Sequence, residues 1–424
     1  MPGAQFVSLR SVFLGSLVLL LILGYAHAQI DRASLTGILT DASGAVIPEV
    51  KIDAVAVDTQ LHYETVTNKQ GTYRLTALPI GSYVVTVTFK GFESVEIKDI
   101  KLEVGETRTL NLRLKVGAIH EKMEVMSTTD PMQQTSAEVG SVIQGEQIAN
   151  LPANGRNWAS MLLLAPGAID DGGGDQRTIR FAGRARDDNN FTMDGVDSTG
   201  IQEQAQKSQT RLQVSQEAIQ EYRVSSSLYT AEHGAGAGGQ IDIVSKTGTN
   251  QFHGGAFEYL RNSALDDRAF VDPPKIPPFR LNQFGGSLGG PIIKNRTFFF
   301  FSYEGLRQFQ ATTLTAPVPS APLRAAILAT SPQMAPIIQV YPSGNSSFSV
   351  CNDPTVDPCT DNFVHAGNTT INEDSFLVRI DHKFTDKTSM FGRFSRDVSY
   401  TDAPLGPFLI ASGYSYTPRI WLCP

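Results

Sequence analysis

Two segments near the end of the chain, "FRLNQFGGSLGGPIIKNRTFFFFSYEGLRQ" and "EDSFLVRIDHKFTDKTSMFGRFSRDVSY", set the limits on its fold. Each holds two long strand-like arms around a tight turn, Lys294-Asn295-Arg296 in the first and Thr385-Asp386-Lys387 in the second. The arms of the second alternate cleanly. Phe376, Val378, Ile380 and Phe384 share a face against Arg379, Asp381 and Lys383; then Met390, Phe394, Val398 and Tyr400 oppose Arg393, Ser395 and Asp397. Successive side chains of a strand point to opposite faces, so this pattern makes one apolar and one polar surface. Five strands are expected, at 252–261, 279–292, 297–306, 374–384 and 388–400. In the third, Phe298 to Phe301 are apolar on both faces, which implies that one face meets another protein element.

The connections alternate too. The two tight turns fall on one side, and a Pro-rich loop (262–278) and a very long one (307–372) fall on the other. Short turns opposite long loops describe a transmembrane barrel whose short turns face the periplasm. A soluble sandwich also alternates apolar and polar residues, but its long loops would not segregate to one side.

The start of the chain fits export. Arg10 precedes an apolar run from Val12 to Leu23, and Ala26 and Ala28 frame a cleavage point before Gln29. That is the form of a signal peptide over residues 1–28, with an uncleaved anchor as the alternative. No later stretch is long and apolar enough for a membrane helix, so any membrane role must use strands. A net charge of −7 gives no basic surface for nucleic acid. Cys351 and Cys359 bracket "CNDPTVDPC" and are spaced for a disulfide in an oxidising compartment, while no His lies close enough to complete a metal site.

Residues 30–116 read as a β-sandwich of about seven strands, with turn signals at Asp41-Ala42-Ser43-Gly44, Asn68-Lys69-Gln70-Gly71 and Pro79-Ile80-Gly81. Gly37 to Asp41, Gly44 to Pro48, Gly71-Thr72-Tyr73, Leu78 to Tyr83 and Gly91-Phe92 resemble the carboxypeptidase regulatory-like domain, a prealbumin-like or carbohydrate-binding-like sandwich. The resemblance does not imply a peptidase. No His/Glu zinc constellation is present, and His62 stands alone among strand residues.

From Ala118 to Lys246 the texture becomes mixed, with helices expected at 145–150 and from Asn157 to Leu164. Leu151-Pro152, Asn154-Gly155-Arg156-Asn157, Pro166-Gly167, Phe191 to Val196, Gly238-Gly239 and Lys246-Thr247-Gly248 resemble the plug domain of TonB-dependent outer-membrane receptors, of the branch that begins with a regulatory-like sandwich. Gly234, Gly236 and Gly239 match the G-x-G-x-x-G spacing of a phosphate cradle, but that cradle needs a helix after it. Here Gln240 to Lys246 is a β-branched, strand-like run. The glycines are expected to serve close backbone approach instead.

No pattern for catalysis is found. Asp170, Asp171 and Asp175 lack the full spacing of a calcium loop, and Asp187-Asp188 and Asp194/Asp197 fit turns, where Asp satisfies backbone N–H groups. No catalytic residue, metal ligand or cofactor is therefore expected. Between sandwich and plug, Met123, Glu124, Val125, Met126 and Ser127 alternate in strand fashion. The resemblance implies a TonB box near this place, which pairs in extended form with the energising protein; an ordinary interdomain strand reads the residues equally well. It also implies substrate contacts from plug turns, for which Arg184, Arg186, Asp187, Asn189 and Asn190 are the candidates.

The expected fold is mainly β: signal peptide 1–28, sandwich 29–116, small α/β plug 117–248, and the first strands of an antiparallel outer-membrane barrel at 249–424. The resembling transporters close with about 22 strands, so the chain is expected to be the N-terminal part of a longer receptor. Its expected partners are a TonB-type energising complex, outer-membrane lipid and an exterior substrate such as a carbohydrate or peptide. An adhesion or secretion-related protein on the same scaffold, or a periplasmic carbohydrate-binding protein, are the alternatives.

Overall fold

Alternation in the N-terminal strands is what closes the sandwich. The structure, a computed structural model, describes residues 31–117, 122–126, 137–172, 178–185, 188–203, 206–210, 214–231, 233, 236–267, 276–345, 360–385, 388–403 and 414–415. It divides into two compact units: the sandwich with a middle sheet, and the strands from residue 246 onward with the segment 211–219. The signal peptide, Ser127, Arg186, Asp187 and the Cys351–Cys359 pair lie outside the described residues.

The sandwich strands are β1 (Ala33–Thr40), β2 (Lys51–Ala56), β3 (His62–Val66), β4 (Thr72–Leu78), β5 (Gly81–Thr88), β6 (Ser94–Leu102), β7 (Thr107–Thr109), β8 (Leu112–Arg113) and β9 (Lys122–Met126). One sheet runs β4-β1-β7 with β8 also on β1, and the other runs β3-β2-β5-β6-β9. Ala33, Leu35 and Leu39 of β1 face Ile52, Ala54, Val85 and Ile100 of the second sheet's strands in one apolar core, all fully buried. The turns work as their residue types require. The Asp41 carboxylate accepts from the backbone N–H of Ser43 and Ala45, and the Asn68 amide oxygen from those of Gln70 and Thr72. His62 sits beside Asp53, Nδ1 to Oδ2 at 2.9 Å.

The middle domain adds β10 (Val139–Gln144), α1 (Gly145–Asn150), β11 (Ala168–Asp170), β12 (Ile179–Phe181), β13 (Asn190–Met193), β14 (Val196–Asp197), β15 (Thr199–Glu203), β16 (Gln206–Thr210), β17 (Ile219–Ser227) and β18 (Gln240–Ser245). Five of these form a mixed sheet in the order β10-β17-β18-β13-β14, with β13 parallel to β18. The α-helix expected from Asn157 is instead a 3₁₀ run over Trp158–Leu164. Between the Asn157 cap and Pro166 there is room for only two turns, and such short pieces tighten to i→i+3 bonds. Trp158 is fully buried there, its ring 5.3 Å from that of Tyr222.

The second unit is one antiparallel sheet of six strands in sequence order: β19 (His253–Asn262), β20 (Phe279–Ile293), β21 (Thr297–Pro319), β22 (Thr360–Thr385), β23 (Thr388–Ala403) and β24 (Tyr414–Ser415). The Lys294-Asn295-Arg296 turn is where the sequence put it, and β22 and β23 pair down to Thr385↔Thr388, with Asp386 and Lys387 outside the described residues. The very long loop is not where the sequence put it. β21 and β22 have 23 and 26 residues and stay paired from Thr297↔His382 to Pro319↔Thr360. Beyond Arg307 and before Asn372 the apolar residues, such as Phe309, Ala311, Ala316, Val318, Phe363, Val364 and Ile371, keep no period of two, so no alternation marks these strands. Their tip carries α2 (Ala321–Thr330) and α3 (Ala335–Val340). The Arg324 guanidinium ties the tip together by donating to the backbone carbonyls of Pro319, Ile338 and Pro342. A tilted strand needs only about 9–11 residues to cross lipid, so these strands are about twice as long as a bilayer crossing requires.

The faces divide as the alternation requires. Phe301, Ile380, Phe384, Met390, Phe394 and Tyr400 are exposed on one face, while Ser302, Ser375, Arg379 and Ser395 are buried on the other. Phe298 and Phe300 are also buried, leaving Phe301 on the open side, which answers the two-faced apolar run.

Candidate functional site

The junction residues Met123 to Met126 fold as β9, pairing parallel with β6 through Val95↔Met123, Glu96↔Glu124, Ile97↔Val125 and Lys98↔Met126. β9 ends the sheet order, so one edge is bound to β6 and the other pairs with no described strand. An extended segment with a free edge is the geometry needed to add a strand from another protein.

Just past that junction the sandwich meets the middle sheet through a polar joint. The turn between β6 and β7 presents the Val104 N–H, which donates to Glu221 Oε1 at 2.6 Å. Arg223 Nη1 donates to the Val104 carbonyl at 3.3 Å, and Gln144 Nε2 to Glu103 Oε1 at 2.7 Å. Burial pushes the Glu221 carboxyl up to about 7 against the pull of the Val104 N–H, with Glu103 and Glu106 adding repulsion. Arg223 also grips Glu138, Nη2 to Oε2 at 2.9 Å and Nε to Oε1 at 3.2 Å, with both side chains under 8% exposed. Burial raises the Glu138 carboxyl, but hydrogen bonds from Arg223 and Ser225 outweigh it and hold the group below its ordinary value.

A second network lies deeper. Asp242 accepts from Thr192 Oγ1 at 2.7 Å and pairs with His233 Nε2 at 2.9 Å. That contact with Asp242 raises His233 above its usual value despite burial. Asp194 takes the N–H and hydroxyl of Ser245, each at 2.8 Å. Asp194 thus serves backbone and side-chain donors, as its turn position implied, while Asp242 sits within β18. Asp170 accepts from the Gly172 N–H and Asp171 pairs with Arg180. Among the described residues, no group of three or more His, Cys, Asp or Glu is placed to hold a metal ion.

The glycine loop is packed, not hollow. A Cβ on Gly236, whose φ is 82°, would lie 2.3 Å from the Asp188 carbonyl oxygen, and one on Gly239 would lie 2.3 Å from the Phe181 ring. No ligand is needed to explain these glycines.

Of the five substrate-contact candidates, Arg184 is exposed on its turn. Asn189 and Asn190 are corrected: both are buried, at 2% and 7% exposure. Asn189 donates to the Ile179 carbonyl and accepts from the Gly239 N–H, and Asn190 accepts from the Thr199 hydroxyl. Their amides hold the loop against the sheet, so they present nothing to a solute. The sequence reading passed over Glu138, Glu221, Arg223 and His233. The usable signal was two opposite charges at i and i+2, Glu221 and Arg223, in a strand otherwise suited to burial.

In the second unit, two short segments lie on the wall. Ser215 Oγ donates to Glu304, which also accepts from Gln283. Thr247 Oγ1 donates to Asp381 Oδ2 at 3.0 Å, and a Cβ on Gly248 would meet the Phe299 carbonyl oxygen at 2.3 Å.

Comparison with known proteins agrees with this order of parts. Residues 34–115 match the carboxypeptidase regulatory-like domain, and residues 244–420 match an outer membrane beta barrel domain. The TonB-dependent transporter Oar of Myxococcus xanthus is 26% identical over 296 residues, covering 66% of this chain and 27% of that protein. The chain thus spans about a quarter of its relative's length. Among solved structures, the siderophore receptor PirA of Acinetobacter baumannii gives a TM-score of 0.31 at 15% identity, over 64% of this chain and 46% of that one. A putative carbohydrate binding protein of Bacteroides uniformis gives 0.17 at 18% identity, over 20% and 41%. Neither structural likeness is close enough to carry weight. The two matched domains and the transporter relative carry it: the chain holds a regulatory-like sandwich followed by an outer-membrane β-barrel domain, and is similar over 296 residues to a TonB-dependent transporter.

Proposed function

We propose that the chain forms the energy-receiving and gating part of an outer-membrane receptor for TonB-driven uptake, with the middle domain as plug. The observation that carries this is β9: an extended strand with one open edge, set between the sandwich and the plug sheet. TonB would add a strand to that edge, main-chain hydrogen bonds giving affinity with little demand on side chains. The energy comes from the inner membrane, so in this reading sandwich and plug work on the periplasmic side.

Pulling on β9 would load the chain toward Glu138 and β10. Among the described strands β10 ends the plug sheet and pairs with β17, so force would peel it from one side. Among the described residues, the first ion pair that the load would reach is Glu138–Arg223. In this reading the chain carries out no covalent chemistry; it binds, yields and re-forms. Arg184, Arg186 and Asp187 are the proposed solute contacts of the plug.

Deleting Glu124–Ser127 in the protein in its own cell should abolish energy-dependent uptake while leaving surface binding intact. A Glu124→Cys variant should also cross-link to a cysteine placed in TonB's periplasmic domain. Unchanged uptake after the deletion would refute the assignment. A requirement for TonB also separates this reading from an adhesion protein on the same scaffold.

A further inference from the structure

The open face of the second unit carries more than apolar side chains. On β20 to β23 the outward positions are the even residues of β20, β22 and β23 and the odd residues of β21, as the exposure of Leu288, Phe301, Ile380 and Phe394 shows. Three arginines share those positions: Arg280, Arg307 and Arg396. The register relates them. Arg280 stands opposite Phe309, two residues past Arg307; Asp374 stands opposite Gly305; and Arg396 stands opposite Phe376, itself opposite Tyr303. From one strand to the next the row therefore drops two residues.

That slope follows the membrane plane. Strands tilted by about 45° shift a level line by about 1.4 residues per strand, since strands lie about 4.8 Å apart and rise about 3.4 Å per residue. The tight turns drop in the same direction: the β20–β21 turn ends at Thr297, opposite His382, while the β22–β23 hairpin closes beyond it at Thr385↔Thr388. Arg280, Arg307 and Arg396 thus lie at nearly one height. Directly below them run Phe284, Tyr303, Phe376 and Phe394, with ring centroids 6.2 Å apart for Phe284–Tyr303 and 5.7 Å for Phe376–Phe394. Aromatic girdles mark the edge of the hydrocarbon band. The arginines stand on the side of that girdle away from the tight turns, which is the outer leaflet's headgroup level.

Arg307 is held flat on the wall. Its guanidinium lies 5.7 Å over the Phe284 ring and is paired with Asp374, which also accepts from the Tyr303 hydroxyl at 2.6 Å. Arg280 and Arg396 are exposed on either side of it. The row carries three positive charges and the one negative charge of Asp374, at the depth where lipid phosphates lie. We propose that this row is a docking surface for the phosphate groups of outer-leaflet glycolipids, each guanidinium offering paired N–H donors to phosphate oxygens. The inference rests on the wall being in the outer membrane, and is independent of energy coupling.

The test uses the chain purified from outer membranes in detergent, stripped of lipid, and offered diphosphoryl lipid A or its dephosphorylated form. The comparison is wild type, Arg280→Gln/Arg396→Gln, and Arg280→Lys/Arg396→Lys; Arg307 is left with its partner. At about 1 kcal/mol per basic residue near an anionic surface, the Gln pair should lower diphosphoryl lipid A retention by about 30-fold, and the Lys pair should keep most of it. Wild type should hold the dephosphorylated lipid no better than the Gln pair does. Equal retention by wild type and the Gln pair would overturn the proposal. If the Gln pair fails to fold, the two lipids on wild type decide: equal retention of both overturns it, and preference for the phosphorylated form upholds it. No uptake is measured, so loss of the TonB reading would leave this result untouched.

Discussion

Replacing Glu221 with Gln should stabilise the sandwich–plug joint at neutral and alkaline pH. Glu221 is 5% exposed, accepts the Val104 N–H, and is pushed up to about 7 from an ordinary 4.5. Between those values the folded chain holds a proton that the unfolded chain has released. Stability contributed by this group therefore falls as pH rises from about 4.5 through about 7. A shift of about 2.5 units is worth about 3 kcal/mol, most of it lost between pH 5 and pH 8. Gln keeps the amide oxygen that accepts from Val104 and has no charge to bury. Hydrogen exchange of β10 and β17 amides, compared between wild type and Glu221→Gln at each pH, cancels the intrinsic pH effect. The variant should be equal to wild type near pH 4 and better protected by about 2 to 3 kcal/mol at pH 8. His233, raised by Asp242, loses its contribution in the same direction, but it is common to both chains and drops out. A variant equally or less protected at pH 8 would refute the reasoning.

Other outcomes follow from the same structure. Arg223→Gln leaves Glu138 buried without its cation and should cost about 3 to 5 kcal/mol in urea unfolding of the first unit. Gly239→Ala drives a methyl into the Phe181 ring and should cost about 1 to 3 kcal/mol, with no change in nucleotide binding by calorimetry because the loop leads into the strand β18 and not into a helix. Phe301→Arg puts a charge on the lipid side of the wall and should weaken membrane insertion by about 2 to 4 kcal/mol; Ser395→Arg, on the opposite face, should insert nearly normally in a flotation assay.

The parts that could be read from sequence are those where one physical constraint acts over many residues. The β22 alternation from Phe376 to Phe384, the turns at Lys294-Asn295-Arg296 and Asp41 to Gly44, and the strand after the glycine loop were legible because lipid, backbone and core each impose a fixed period or residue type. The continuation of β21 and β22 to Pro319 and Thr360 was not. Outside the bilayer, neither face of a hairpin needs to be apolar, so "QFQATTLTAP" looks like a loop although it pairs throughout. The joint at Glu221 was hidden for a different reason: Val104 and Glu221 are far apart in sequence, and nothing local shows that a carboxylate will be buried against a distant backbone N–H. Asn189 and Asn190 were misjudged because Asn is common both at exposed turns and where a buried backbone needs a partner; burial alone separates the two.

The orientation of the wall can be measured with a membrane-impermeant maleimide on intact cells. The native cysteines Cys351, Cys359 and Cys423 are first removed, and one cysteine is placed at Gln333, on the helical tip, or at Lys294, in a tight turn. Gln333→Cys should label on intact cells, and Lys294→Cys only after the outer membrane is opened. Labelling of Lys294→Cys on intact cells, or recovery of the chain in the soluble fraction, would contradict a wall with its tight turns facing the periplasm.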